Sequence, residues 1–126
     1  MLVLPGVPAS AGHLRQALAE LAGSWDLPGQ LISDAQIVGT ELFANALEHG
    51  GVGGGPVPVE MMLGPGPGLL ISVSDHMPDT PPAPQRADGD AEQGRGLALV
   101  TALSRDWGWE RRPGRRRKHV FALLGG

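Results

Sequence analysis

The chain has 126 residues, 41% of them hydrophobic, and a formal net charge of -3, which bounds it to one domain, residues 1–126, with a modest and mostly aliphatic core. The absence of cysteine excludes a disulfide framework and any thiolate zinc site. No apolar run approaches membrane-spanning length and the N-terminus lacks a basic region leading into an apolar segment, so a cytoplasmic protein without membrane contact is expected.

Leu2 to Leu4, ahead of Pro5, suit a short edge strand. Ser10 is placed to cap a helix that carries Leu14, Ala17, Leu18, Leu21 and Ala22 at helical spacing and stops at Gly23. Pro28 suits the first turn of a second helix, with Leu31, Ala35, Val38, Leu42 and Ala46 as its buried stripe and Gly50-Gly51 as its end. After a glycine joint at 53–55, Val57, Val59, Met61 and Leu63 alternate with other residues as a strand does. Pro58 places part of that strand at an edge or a start. A glycine-proline turn then leads to Leu69, Ile71 and Val73, which alternate in the same way, so the two strands form a hairpin. The pattern vanishes over residues 76–93, which carry four prolines. A structureless loop of that length in so small a domain reads as a lid or binding loop. Gly94-Arg95-Gly96 opens a third helix with Leu97, Val100 and Leu103 on one face. Trp107 to Glu110 and His119 to Leu124 close the chain as a hairpin around Pro113-Gly114.

Three stretches carry chemistry. On the second helix, Glu41, Asn45, Glu48 and His49 share a stripe. A carboxylate and a carboxamide one turn apart can ligate a hard cation or position a water. Taken alone, the solvated polar face of an amphipathic helix is the simpler reading. Asp75 shares a strand face with Leu69, Ile71 and Val73, so its carboxylate points inward and needs a donor. That donor is either a backbone amide of the following turn or the exocyclic amine of a purine, and the strand leaves both open. Gly94-Arg95-Gly96-Leu97 at a helix start allows close backbone approach and offers amides to phosphate, although a plain loop-helix junction has the same look. No P-loop pattern occurs anywhere in the chain.

The order of these stretches resembles the GHKL-type ATPase fold shared by gyrase, the Hsp90 chaperone, histidine kinases and MutL. The closer resemblance is to the anti-sigma-factor serine kinases, especially the stand-alone actinobacterial ATP-binding regulators. It rests on Glu41-Leu-x-x-Asn45-Ala-x-x-His49-Gly50, Val73-Ser-Asp75-x-x-Pro78-x-x-Pro81 and Gly94-Arg-Gly-Leu-Ala-Leu-Val100. Asp106-Trp-Gly108 and Lys118-His-Val-Phe-Ala-Leu add to it. The resemblance implies an α+β, two-layer sandwich with a mixed, mostly antiparallel sheet of about five strands and three helices on one face. It implies ATP and Mg²⁺ as cofactors, with Asn45 the Mg²⁺ ligand, Glu41 the general base and Asp75 the acceptor of the adenine amine. Gly94, Arg95, Gly96 and Leu97 would cradle the phosphates, with His49 near the nucleotide and Met77 either packing on the adenine or narrowing the pocket. Its kinases phosphorylate a serine of an antagonist protein and also bind a sigma factor, so those are the expected partners, with a homodimer left open. A partner-sequestering scaffold of the same fold that transfers no phosphate is the alternative. His76-Met77 stands where the wider superfamily has glycines.

Other constellations are weaker. The histidines at 13, 49, 76 and 119 have no zinc-binding spacing, and Trp107 and Trp109 read as core or dimer surface rather than a base-stacking platform. Seven of the chain's bases fall between Arg105 and Lys118, where a solvated hairpin is favoured over a nucleic-acid patch.

Overall fold

The computed structural model describes every residue except 65, 67, 83–90, 113, 115 and 126, and gives residues 91–95 as backbone only. The chain forms β1 (Leu2–Gly6), a 3-10 turn (Pro8–Ser10), α1 (Ala11–Ser24), α2 (Gly29–His49), β2 (Gly54–Gly64), β3 (Gly68–Asp75), α3 (Ala91–Leu103), β4 (Asp106–Arg111) and β5 (Lys118–Gly125). The strands make one sheet in the order β1-β2-β3-β5-β4. Every neighbouring pair in it is antiparallel. The sheet is therefore not mixed. A crossover through α3 makes β4 run parallel to β3, but β5 inserts between them and leaves no parallel neighbours.

α2 is the central element. Leu31, Ala35, Val38, Leu42 and Ala46 are buried along it, as their spacing predicts, and Gly39 and Phe43 join them. It packs on β3 and β5, while α1 and α3 pack on its flanks. Gly39 marks the closest approach: a methyl group there would stand 2.5 Å from Leu18 Cδ1 of α1. The single core draws Leu14 and Leu18 from α1, Val100 from α3, and the inward rows Val57-Val59-Met61, Leu69-Ile71-Val73 and Val120-Ala122-Leu124 from the sheet.

Several element boundaries differ from the sequence reading for local reasons. β2 begins at Gly54, because Pro56 and Gly54 pair with Pro5 and Gly6 of β1 and absorb the expected glycine joint. Pro58 pairs only with β1, since the ladder to β3 starts at Val59, so its missing N–H costs no bond on the β3 side. Ser10 does not cap α1 through its side chain; its hydroxyl donates to the Pro5 carbonyl at 2.8 Å and ties α1 to β1. α1 continues past Gly23 to Ser24, and Pro28 stands at the cap of α2 rather than inside its first turn. α3 starts at Ala91, so the loop expected over 76–93 gives up its last three residues, and Gly94 to Gly96 lie within the helix. Ala91, Glu92 and Gln93 are good helix formers and outweigh the two glycines as the start signal. Residues 83–90, including Arg86, lie outside the described residues, as does Pro113 of the closing turn. Among the described residues no helix is long and apolar enough to cross a membrane.

Phe43 is 1% exposed at the centre of the core, so Phe43→Ala should cost about 3–5 kcal/mol. Ile37, 41% exposed on the same helix, should tolerate alanine within roughly 0.5 kcal/mol. Urea denaturation of the two variants checks the pair.

Candidate functional site

The second helix ends where the third strand ends. Gly50 caps α2, and a methyl group there would fall 2.5 Å from Asp75 Cβ and 2.6 Å from the Ala46 carbonyl oxygen, so only glycine lets the two elements meet this closely. The His76 amide donates to the Gly50 carbonyl at 2.8 Å and closes the joint. Met77 then lies over Gly51, whose φ of +64° suits glycine; a methyl group there would stand 3.1 Å from the Met77 sulfur.

Asp75 is buried, as strand alternation predicts, and both of its carboxylate oxygens accept hydrogen bonds. Oδ1 accepts the Met77 amide at 2.9 Å, which is the turn partner the sequence offers. Both oxygens also accept from the Lys118 ammonium, at 2.9 and 2.8 Å. The same ammonium donates to the Met77 carbonyl at 2.9 Å, which uses its third hydrogen. Lys118 and Asp75 are direct cross-strand partners of β5 and β3, and each side chain is 2% exposed. A buried pair is tolerated when its charges are well hydrogen-bonded, and here every ammonium hydrogen is placed. Lys118 is the residue that sequence reasoning missed. It stands beside a run of arginines and reads as part of a solvated hairpin, and that reading fails for this residue because β5 turns it inward. The signal was present: Lys118, Val120, Ala122 and Leu124 share one strand face, and the last three are core. Arg111, Arg112 and Arg116 are exposed as expected, and Arg111 pairs with Asp79 at 3.0 Å on the surface.

The stripe on α2 runs beside its buried face rather than on it. Glu41, Asn45 and His49 are half-buried, and His49 Nε2 stands 3.6 Å from Glu48 Oε2. Burial, and after it the charge of Glu48, raise the Glu41 carboxyl above its ordinary range. α3 closes on this end of the stripe: a methyl group at Gly96 would stand 3.0 Å from Glu41 Oε2. Two glycine contacts therefore join the three stretches, Gly50 against Asp75 and Gly96 against Glu41. Leu97 follows on α3, half-buried. Gly94 and Arg95 lie three and four residues into α3 rather than at its start. The Arg95 side chain is outside the described residues. From residue 41 to residue 50 a helix rises about 13 Å, which sets the length of the site.

Trp107 and Trp109 share a face of β4, as their spacing requires. Trp107 packs against the core and its indole N–H donates to the Thr101 hydroxyl at 2.8 Å, which fixes β4 against α3.

An open antiparallel sheet covered by three helices, with polar side chains gathered along the middle one, is the layout of a two-layer ATP-binding domain. Comparison with known proteins agrees: the chain belongs to the histidine kinase-like ATPase domain family, whose profile matches residues 4–120. It is also 37% identical over 78 residues to a Streptomyces coelicolor protein described as uncharacterized, covering 61% of this chain and 73% of that one. Membership supports an ATP-binding regulatory role.

Two outcomes are expected from this geometry. Lys118→Met should cost about 3–5 kcal/mol by leaving a buried carboxylate without its cation, whereas Lys118→Met with Asp75→Asn should recover most of that loss; thermal or urea unfolding of the single and double variants measures it. Glu41 gives a pH signature. Its raised carboxyl holds a proton in the folded state that the unfolded chain has already released, so stability falls as pH rises through the window from the ordinary carboxylate value to the raised one. Glu41→Gln should match the wild type below that window and melt higher above it, in scans from roughly pH 4 to pH 8.

Proposed function

We propose that the protein is an ATP-dependent serine/threonine-protein kinase of the anti-sigma-factor type, which transfers the γ-phosphate of ATP to a serine of an antagonist protein. The observation that carries the reading is the close approach of α2 to Asp75 at Gly50 and of α3 to Glu41 at Gly96. A site about 13 Å long takes an extended ligand, with a base at the Asp75 end and a phosphate tail at the Glu41 end. Oδ2 of Asp75 has a lone pair beyond those used by Lys118, which can accept a purine amine. The exposed flank of Met77 suits one face of the base.

The donor set fits Mg²⁺. Among the described residues there is no cluster of three or more His, Cys, Asp or Glu, and the Asn45 carboxamide is a single hard oxygen ligand, so a cation here would be shared with phosphates as Mg²⁺ commonly is. Bound Mg²⁺ would supply charge neutralisation on the phosphates. Glu41 accepts the proton of the acceptor serine while the serine oxygen bonds to the γ-phosphorus and the bond to the bridging oxygen breaks, releasing ADP. Its raised carboxyl makes it the stronger base for that step. Gly96 keeps α3 close enough to shield the step from water. In this reading the client proteins are a sigma factor and its antagonist, in the cytoplasm.

A second reading, a partner-sequestering scaffold without phosphate transfer, is favoured by one observation: Asp75 is already satisfied by Lys118 and Met77, so it can serve the fold with no ligand. Mg-ATP titration with labelled γ-phosphate and a cognate antagonist separates the two. Under the kinase reading Asp75→Asn weakens ATP binding by roughly tenfold or more, while Glu41→Ala binds ATP and transfers no label. A stable complex with the antagonist and no label in either protein selects the scaffold.

A further inference from the structure

Lys118 is the only lysine in the chain, and it stands behind the carboxylate assigned above to the base. We propose that Lys118 is a positioning residue that sets the base selectivity of the site. By bonding both oxygens of Asp75 it fixes the plane of the carboxylate and holds it as an acceptor only. The site then takes a purine that carries an amine at C6 and refuses one that carries a carbonyl there. The inference rests on the assignment of Asp75 to the base.

The hydrogen-bond accounting leads to this role. An ammonium has three hydrogens and no lone pair. All three are placed, on Asp75 Oδ1, Asp75 Oδ2 and the Met77 carbonyl. Lys118 therefore has nothing left to offer a C6 carbonyl. An ionised carboxylate bonded to an ammonium is an acceptor only and has no hydrogen to offer that carbonyl either. What remains is acceptor capacity on Oδ2, since Oδ1 also takes the Met77 amide. A buried acceptor facing a ligand acceptor is left unpaired, and such mismatches discriminate more strongly than apolar shape does. The same cation also fixes the turn at Met77, whose side chain rests on Gly51, so the acceptor and the apolar wall beside it are set by one group. The pair lies in register across β3 and β5, inside the sheet, and cannot turn away without opening the ladder.

The test compares ATP with inosine triphosphate, which differs at C6, on the full chain. The wild type should prefer ATP by at least roughly tenfold, and Lys118→Met should bring the two affinities close to equal. A merely structural role would weaken both nucleotides together and leave their ratio unchanged. Because the single variant loses a buried cation and can fail to fold, a second measurement uses the wild type. Lysine labelled with ¹⁵N at Nζ gives one side-chain ammonium resonance, which should shift on adding ATP and stay in place on adding inosine triphosphate. If that resonance ignores ATP while the Gly50 and Met77 amides respond, or if Lys118→Met keeps the wild-type ratio while Asp75→Asn loses it, Lys118 does not set selectivity and the base assignment stands. If Asp75→Asn leaves ATP binding unchanged, the base assignment is wrong and the inference falls with it.

Discussion

One buried ion pair organises the end of this sheet. Lys118 and Asp75 face each other across β3 and β5, sealed from solvent and bonded to the turn that follows β3. Burying two charges is costly, and the cost is offset only when every hydrogen and most lone pairs find partners. That requirement explains the neighbours. Gly50 has no side chain because Asp75 occupies that space, and the turn at Met77 points both its amide and its carbonyl at the pair. The position of α2 follows in turn, since its C-terminal cap, Gly50, meets β3 at this point.

The rest of the site is laid out along α2. A helix holds its side chains at fixed spacing, so Asp75 at one end and Glu41 at the other are separated by a rigid ruler rather than by a loop. α2 is buried on the adjoining face against β3 and β5 and flanked by α1 and α3, which hold it from several sides. Groups that must act together on an extended ligand gain from such a support. The glycine at position 96 extends the arrangement to α3, the one helix whose approach follows a long and proline-rich connection.

Much of this was legible in the residues. The helical spacing of Leu31, Ala35, Val38, Leu42 and Ala46 gave the buried face of α2, and strand alternation turned Asp75 inward. The Met77 amide was one of the two partners that the sequence left open for Asp75. Lys118 was not among them, because local composition and strand phase disagreed: a lysine after three arginines looks solvated, while its register with Val120 and Ala122 makes it core. Tertiary placement won, since a carboxylate already buried on β3 could compensate it. The start of α3 was misread for the opposite reason, as two glycines were given more weight than the Ala-Glu-Gln run ahead of them. The antiparallel character of every pair depends on β5 inserting between β3 and β4, which no local pattern encodes.

The two open margins of the sheet bear on how copies of this chain can meet. β1 forms one margin and is only five residues long, with Pro5 removing a donor. β4 forms the other, and it carries Asp106, Glu110 and Arg111. Short, proline-bearing or charged borders resist recruitment of a further strand. Concentrated solutions should therefore resist fibrous stacking, and any self-association would have to be built from broad surfaces rather than by stitching one sheet onto the next.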